Sequence, residues 1–263
     1  MIPNNPLGRE LNVPGDAFVM VDKPGACAHN PFALSLPPVD GNHVVCIILD
    51  MADNDGAWLE AARAHVSGAE LARAARFQRR RDAAQHLVGR ALARTLLAQQ
   101  LGRATFLEEF AVNPWGKPAH PSSGLEFSIS HAGDWVLLAL SRGTAVGVDV
   151  EHAAAVGDPY SLAEIFHPAE CAAIRAQPPA SAQEAFLRCW VRKEAVIKAL
   201  GQGLAQPLNT FRVRVDARAD GWLEEAPETA VEGWTCADLP LAAAYHASVA
   251  AGKSGLIFSC HRL

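Results

Sequence analysis

Valines alternate with other residues along Gly147-Val148-Asp149-Val150-Glu151, a period of two that predicts a strand with Asp149 and Glu151 on one face. Downstream the period changes. At about 100° per residue, Phe186, Leu187, Trp190, Val191, Ile197 and Leu200 form one apolar arc of a helix. Glu194 falls inside that arc, and Lys198 follows one turn on. The same reading predicts a strand over 43–49, helices over 56–76 and 80–101, and strands over 106–112, 125–130 and 135–140. A second series follows, with a strand over 145–151, helices over 160–176 and 181–200, and strands over 211–215, 244–250 and 255–261. Residues 1–41 are rich in Pro, Gly and Asn and weakly periodic, which predicts an extended arm with no regular structure before residue 43. The expected fold is therefore α+β. Residues 42–142 and 143–263 form two pseudo-duplicated halves, each a long helix packed on a small, mostly antiparallel sheet.

Composition narrows the class. The chain has 263 residues, 50% of them hydrophobic, with a formal net charge of -5, enough to bury one large core or two small ones. A pI near 6.0 argues against nucleic acid as the main partner, for which a basic domain is expected. No apolar run reaches the roughly 18–20 residues that span a bilayer. The start, Met1-Ile2-Pro3-Asn4-Asn5-Pro6, has no basic region leading into an apolar one, so no secretory signal is expected. Cys27, Cys46, Cys171, Cys189, Cys236 and Cys260 are scattered without metal-ligand spacing and read as reduced structural thiols. A soluble, cytoplasmic monomer is the expectation.

The chemistry lies in the acidic positions. A carboxylate on an apolar helix face is costly unless paired or bound to a cation, and Lys198, at i,i+4 from Glu194, is a single partner. Bringing Asp149 and Glu151 to the same place adds charge that one lysine does not balance, whereas Mg²⁺ takes carboxylates, water and phosphate oxygens together. Phe127-Ser128-Ile129-Ser130-His131 and Trp135-Val136-Leu137-Leu138-Ala139-Leu140 read as a hairpin with Ser130 and His131 at its rim. Asn113-Pro114-Trp115-Gly116-Lys117-Pro118 is a tight turn that presents one lysine, a point charge suited to phosphate. Arg73 to Arg81 is the densest positive run. Read singly, each motif is as well explained by a salt bridge, a turn or a solvated face.

Their order is more specific. Arg76-Phe77 with Gly89-Arg90, Gly116-Lys117-Pro118, Phe127 to His131, Gly147 to Glu151, and Trp190 to Lys198 followed by Gly201-Gln202-Gly203-Leu204 resemble the 4'-phosphopantetheinyl transferases of the surfactin-synthetase-activating (Sfp) type. The resemblance spans roughly residues 70–215. It implies two halves with the active site in the cleft between them, and Mg²⁺-dependent transfer, with Mn²⁺ as a substitute, of the 4'-phosphopantetheine arm of coenzyme A to a serine of an apo acyl or peptidyl carrier protein. Adenosine 3',5'-bisphosphate would be released. It implies Asp149, Glu151 and Glu194 as metal ligands, with Glu194 ligand, general base or both. Glu194, Lys198 and His131 would be catalytic. Arg73, Arg80, Lys117, Ser130, His131, Lys193 and Lys198 would bind coenzyme A, with Arg79 and Arg81 as alternatives to Arg80. His86 stands where some relatives carry threonine, and Ala132 where serine often follows the histidine. Carriers in this family are small acidic helical domains, and residues 152–176, including Phe166, His167 and Ile174, are the expected docking region. A Mg²⁺-dependent hydrolase of phosphoanhydrides would use similar groups, but the chain has no P-loop. A carrier-binding module without activity would not need Asp149, Glu151, Glu194 and Lys198 together.

Overall fold

The computed structural model describes residues 10–12, 18–22, 32, 34, 36–52, 55–155, 157–228, 231 and 233–263. The chain runs through strands β1 (Glu10–Asn12), β2 (Phe18–Asp22) and β3 (His43–Asp50), then helices α1 (Asp55–Arg63), α2 (Gly68–Ala74) and α3 (Arg80–Gln100). Strands β4 (Ala111–Val112), β5 (Pro118–Ala119), β6 (Leu125–Ala132), β7 (Trp135–Arg142) and β8 (Val146–His152) follow, then helices α4 (Pro159–Leu162), α5 (Pro168–Arg175) and α6 (Pro179–Leu200). The chain closes with β9 (Arg212–Val213), β10 (Leu223–Glu225), β11 (Thr235–Asp238), β12 (Tyr245–Ala251) and β13 (Ile257–Arg262).

Two sheets organise the core. The larger has the order β1-β2-β13-β3-β7-β6, and the smaller the order β11-β12-β8. Pairing is antiparallel except where β13 runs parallel to both β2 and β3. One face of the large sheet, with Ile47, Leu49, Leu138 and Leu140, packs on Leu87, Val88, Ala91 and Leu92 of α3. Its other face, with Val44, Cys46, Ile48 and Leu137, packs on Val148, Val150 and Val249 of the small sheet. That double coverage explains why β3 is apolar almost throughout rather than alternating. Helix α6 lies on the remaining face of the small sheet, so the order of layers is α3, large sheet, small sheet, α6.

Several elements differ from the periodicity reading. The helix expected over 56–76 is broken in two, because Ser67 caps α2 in a reciprocal capping box with Glu70 that satisfies the free N–H groups of a new helix start. The helix expected over 160–176 breaks in the same way, where His167 caps α5 with Glu170 and Pro168 opens it. The strands expected over 106–112 and 211–215 shrink to the two residues of β4 and of β9. Helix α6 begins at Pro179, two residues before the expected start at 181. The N-terminal segment contributes two strands, with β2 beside β13, and β13 places the chain's last strand in the sheet of its first half. Cys46, Cys171, Cys189, Cys236 and Cys260 are free and buried; Cys27 lies outside the described residues.

Candidate active site

Gly147 lets β8 and α6 meet. A Cβ there would stand 2.0 Å from the Ala195 carbonyl oxygen and 2.4 Å from the Ala199 nitrogen, so any side chain would push the helix off the strand. Asp149 and Glu151, further along the same strand face, are thereby brought against Glu194 and Lys198. Strand β8 is an edge of the small sheet and β6 an edge of the large one. Serine hydroxyls join them. Val148 N donates to Ser128 Oγ at 3.1 Å and Val150 N to Ser130 Oγ at 3.3 Å, satisfying edge amides that would otherwise be buried unpaired.

Asp149, 3% exposed, is the centre of the arrangement. Its Oδ1 accepts from Lys198 Nζ at 2.6 Å and from Ser130 Oγ at 2.9 Å, and Lys198 Nζ also donates to Ser130 Oγ at 2.9 Å. Its Oδ2 is buried with no hydrogen-bond partner. Burial, and then the Asp149 charge, push the Glu194 carboxyl up to about 7, with Lys198 opposing them. The same two causes raise Glu151, whose carboxylate the Trp190 indole partly stabilises by donating to it. Negative charge is thus in excess of what Lys198 neutralises. Among the described residues, no group of three or more His, Cys, Asp or Glu side chains stands in an arrangement that holds a metal ion.

Two adjoining pockets open here, of about 360 Å³ and about 330 Å³, sharing Ile129, His131, Glu194 and Lys198. The larger runs between α3 and the turn at 115–118, and the smaller holds Asp149, Glu151 and Trp190. His131 stands where they meet. His131 is open to solvent on one side, but the protein atoms on its other side lower its pKa, with Lys198 adding to the effect. Lys117 lines the larger pocket, but its Nζ donates to the carbonyl oxygens of Val146 and Ala199, each at 3.2 Å. Asn113 Nδ2 donates to Gly201 O at 2.6 Å. The turn is therefore fastened to the end of α6, where Gly201 adopts φ 68°, a left-handed conformation that favours glycine.

Other expected residues lie elsewhere. Arg73 is exposed at the end of α2, near enough to His86 and Arg90 to lower both their pKa values, but outside the pocket linings. Arg80 is exposed and its guanidinium lies near Gly56. Arg81 turns to the Gly133 carbonyl and Asp134. Lys193 corrects the sequence expectation outright. Its side chain is fully buried on the far side of α6, where Nζ pairs with Glu170 at 2.8 Å and donates to Leu208 O at 2.7 Å and Phe211 O at 2.8 Å. From there it lines neither pocket. Of the expected docking residues, Phe166 and Ile174 are core, 2% and 0% exposed, and His167 is a helix cap; Leu162 and Ile165 are the exposed apolar side chains of that region.

Sequence reasoning quoted Arg90 and Ser128 among the motif residues without giving them a role, and gave His86 only a passing place. Gly89 lets α3 touch β6, since a Cβ there would lie 2.8 Å from Ile129 Cγ2. Close contact at that point brings His86 and Arg90 to the larger pocket. The available signal was their i,i+4 spacing on the helix face that carries Gly89. His86 Nε2 is buried and unpartnered, and burial followed by the Arg90 charge hold its pKa down to about 4.

Comparison with known proteins identifies the family. Residues 145–250 match the 4'-phosphopantetheinyl transferase superfamily, and residues 54–142 match the N-terminal region of 4'-phosphopantetheinyl transferases. A 4'-phosphopantetheinyl transferase of Bacillus subtilis is 33% identical over 153 residues, covering 58% of this chain and 67% of its own. The 4'-phosphopantetheinyl transferase HetI of Nostoc sp. is 32% identical over 193 residues, 72% of this chain and 80% of its own. The 4'-phosphopantetheinyl transferase psf-1 of Bacillus pumilus is 30% identical over 186 residues, 70% and 74% of the two chains. Two adjoining matched segments and relatives aligned over most of their length lead to one conclusion: this chain belongs to the 4'-phosphopantetheinyl transferases, enzymes that transfer phosphopantetheine to carrier proteins.

Proposed function

We propose that this enzyme transfers the 4'-phosphopantetheine arm of coenzyme A to a serine of an apo acyl or peptidyl carrier protein, with Mg²⁺, and releases adenosine 3',5'-bisphosphate. The observation that carries the reading is Asp149: a buried carboxylate on the wall of the smaller pocket, paired through one oxygen and orphaned at the other. A hard cation fits an orphaned carboxylate oxygen flanked by two further carboxyls of raised pKa, so Asp149, Glu151 and Glu194 would hold Mg²⁺. When bound, Mg²⁺ would supply charge neutralisation at the pyrophosphate oxygens.

The remaining chemistry belongs to the chain's own groups. Lys198 and His131, which line both pockets, are suited to the pyrophosphate, and Lys117, His86 and Arg90 to the adenosine end with its 3'-phosphate. Arg73 and Arg80 would approach that phosphate only from the exterior. The serine oxygen forms a bond to the phosphorus bearing pantetheine, and the P–O bond to the adenosine bisphosphate breaks. Glu194, which lines both pockets beside Lys198, is the candidate to take the serine proton. Each long helix on its own sheet supports a duplicated plan with a boundary near residues 142 and 143, crossed by β13, which returns to the first sheet, and with the active site between the halves. The reading extends to a cytoplasmic monomer; no helix among the described residues is long and apolar enough to cross a membrane.

Intact-protein mass spectrometry of an apo carrier incubated with the enzyme, coenzyme A and Mg²⁺ tests the proposal. A gain of about 340 Da, the mass of the transferred arm, that disappears with EDTA is the expected result. No gain on acyl, polyketide or peptidyl carriers from folded enzyme would overturn it.

A further inference from the structure

The turn joining β6 to β7 is held from three directions. The Gly133 carbonyl accepts from Arg81 Nε at 2.9 Å and Gln85 Nε2 at 2.8 Å, both from the first turns of α3. Arg81 also pairs with the Asp134 carboxylate. Met51 N, just beyond β3, donates to the Asp134 carbonyl at 2.7 Å. From the small sheet, the Tyr245 hydroxyl accepts from Asp134 N at 3.2 Å. Gly133 adopts φ 54°, and a Cβ there would stand 2.1 Å from the Tyr245 hydroxyl oxygen, so glycine is required both by the backbone conformation and by the tyrosine. Nearly every polar main-chain group of a two-residue turn is thus taken up by a distant element.

Such convergence needs an object, and His131 lies two residues before Gly133. His131 pairs with Val136 across the hairpin that the turn closes, so its main-chain position is set together with the turn. Tyr245 comes from the strand that sets the carboxylates. It is the cross-strand partner of His152, with His246 opposite Glu151 and Ser248 opposite Asp149. Its ring packs 4.5 Å from His152 and 6.2 Å from Trp135. A contact from β12 to the turn therefore ties the position of His131, on the large sheet, to that of Asp149 and Glu151, on the small one.

We infer that the Gly133–Asp134 turn is a clamp in which Tyr245 and Gln85 act as positioning residues, setting His131 at a fixed distance from the carboxylate strand. Neither touches the reacting atoms; both act through the placement of the imidazole. The inference rests on the proposed role of His131 in binding coenzyme A phosphates, and the experiment separates the two.

Coenzyme A affinity is measured by calorimetry, and kcat and KM by carrier loading with Mg²⁺, for the parent, Tyr245→Phe, Gln85→Met, His131→Ala and the doubles of His131→Ala with each of the first two. Phenylalanine keeps the ring and its packing, and methionine keeps the length of Gln85. Each single variant is expected to lose about three- to tenfold in coenzyme A affinity, the worth of one hydrogen bond, while melting within about 5 °C of the parent. In the His131→Ala background neither substitution is expected to reduce affinity further, because groups acting through one residue are not additive. Parental affinity in both Tyr245→Phe and Gln85→Met would overturn the clamp, as would losses that persist undiminished once His131 is gone. Parental affinity in His131→Ala would instead overturn the role of His131 itself, and with it the purpose of the clamp.

Discussion

Replacing Lys193 by methionine separates a residue of the site from a residue of the core. Lys193 is 0% exposed and its partner Glu170 1%, and the ammonium also sits 4.1 Å from the centroid of the Phe211 ring. Methionine fills most of the lysine volume, so the cavity contribution is small, but the variant leaves the Glu170 carboxylate buried without its cation. Removing one partner of such a pair costs about 3–5 kcal/mol. Two backbone donors, Val213 N at 2.6 Å and His167 N at 2.9 Å, keep the expected loss near the lower end. Its pH dependence has a definite sign. Burial already raises the Glu170 pKa, and Lys193 opposes it; without Lys193 the rise is larger. The folded variant then holds a proton that the unfolded chain gives up above about pH 4.5, so stability falls as pH rises. The gap between parent and variant is expected to widen from about pH 5 to about pH 8. Urea unfolding at the two pH values reads it, and Glu170→Gln in the Lys193→Met background, which removes the charge but keeps an amide oxygen as acceptor for Val213 N or His167 N, is expected to recover part of the loss and to remove its pH dependence. Coenzyme A affinity of the folded variant, measured by calorimetry at low temperature, is expected to equal the parent's. A variant as stable as the parent but with impaired coenzyme A binding would refute this reasoning and return Lys193 to the site.

The remaining predictions concern the site and the contacts that form it. Asp149→Ala is expected to abolish carrier loading and weaken Mg²⁺-dependent coenzyme A binding with the fold retained; a normal loading rate would dismiss the carboxylate assignment. Gly147→Ala forces a methyl group into backbone atoms of α6 and is expected to cost about 1–3 kcal/mol or more, read as a lower urea midpoint together with lost loading; an unchanged midpoint would mean that strand and helix are not so closely apposed. His86, with its pKa held down to about 4, takes up a proton in the unfolded chain before it does in the folded one. Stability present above about pH 6.5 is therefore lost as pH falls towards about 4, by about 1–2 kcal/mol once solvent screening of the half-buried ring is allowed for. Acid unfolding of His86→Gln should be correspondingly shallower, and a curve parallel to the parent's would show that the histidine is not desolvated.

How far the site was legible follows from the range of each interaction. The alternation of Val148 and Val150 marks β8 and puts Asp149 beside Glu151, because strand periodicity is a property of the backbone alone. The helical arc of α6 likewise identifies Glu194 and Lys198 as neighbours. Strands β4 and β9, two residues each, carry no period to read. The capping boxes at Ser67 and His167 are visible as local patterns, yet periodic apolar residues run on past both breaks and outweigh them.

Lys193 and Glu194 show where local pattern ends. They are adjacent in sequence and about 100° apart on the helix; one faces a core built from Glu170, Leu208 and Phe211, and the other faces the pockets. Helix α6 is buried on more than one side, so a wheel does not distinguish the wall of a cleft from the interior. That distinction depends on which distant segments pack against each face. The sequence by itself determined the strand and helix that carry the acidic groups, since their periods are local. Tertiary structure alone decided that Ser128 and Ser130 join two sheet edges, that Arg90 and His86 enter the pocket, that Lys193 leaves it, and that β13 returns to the first sheet. Each of these depends on contacts between residues far apart in the chain, formed only when burial brings the layers together.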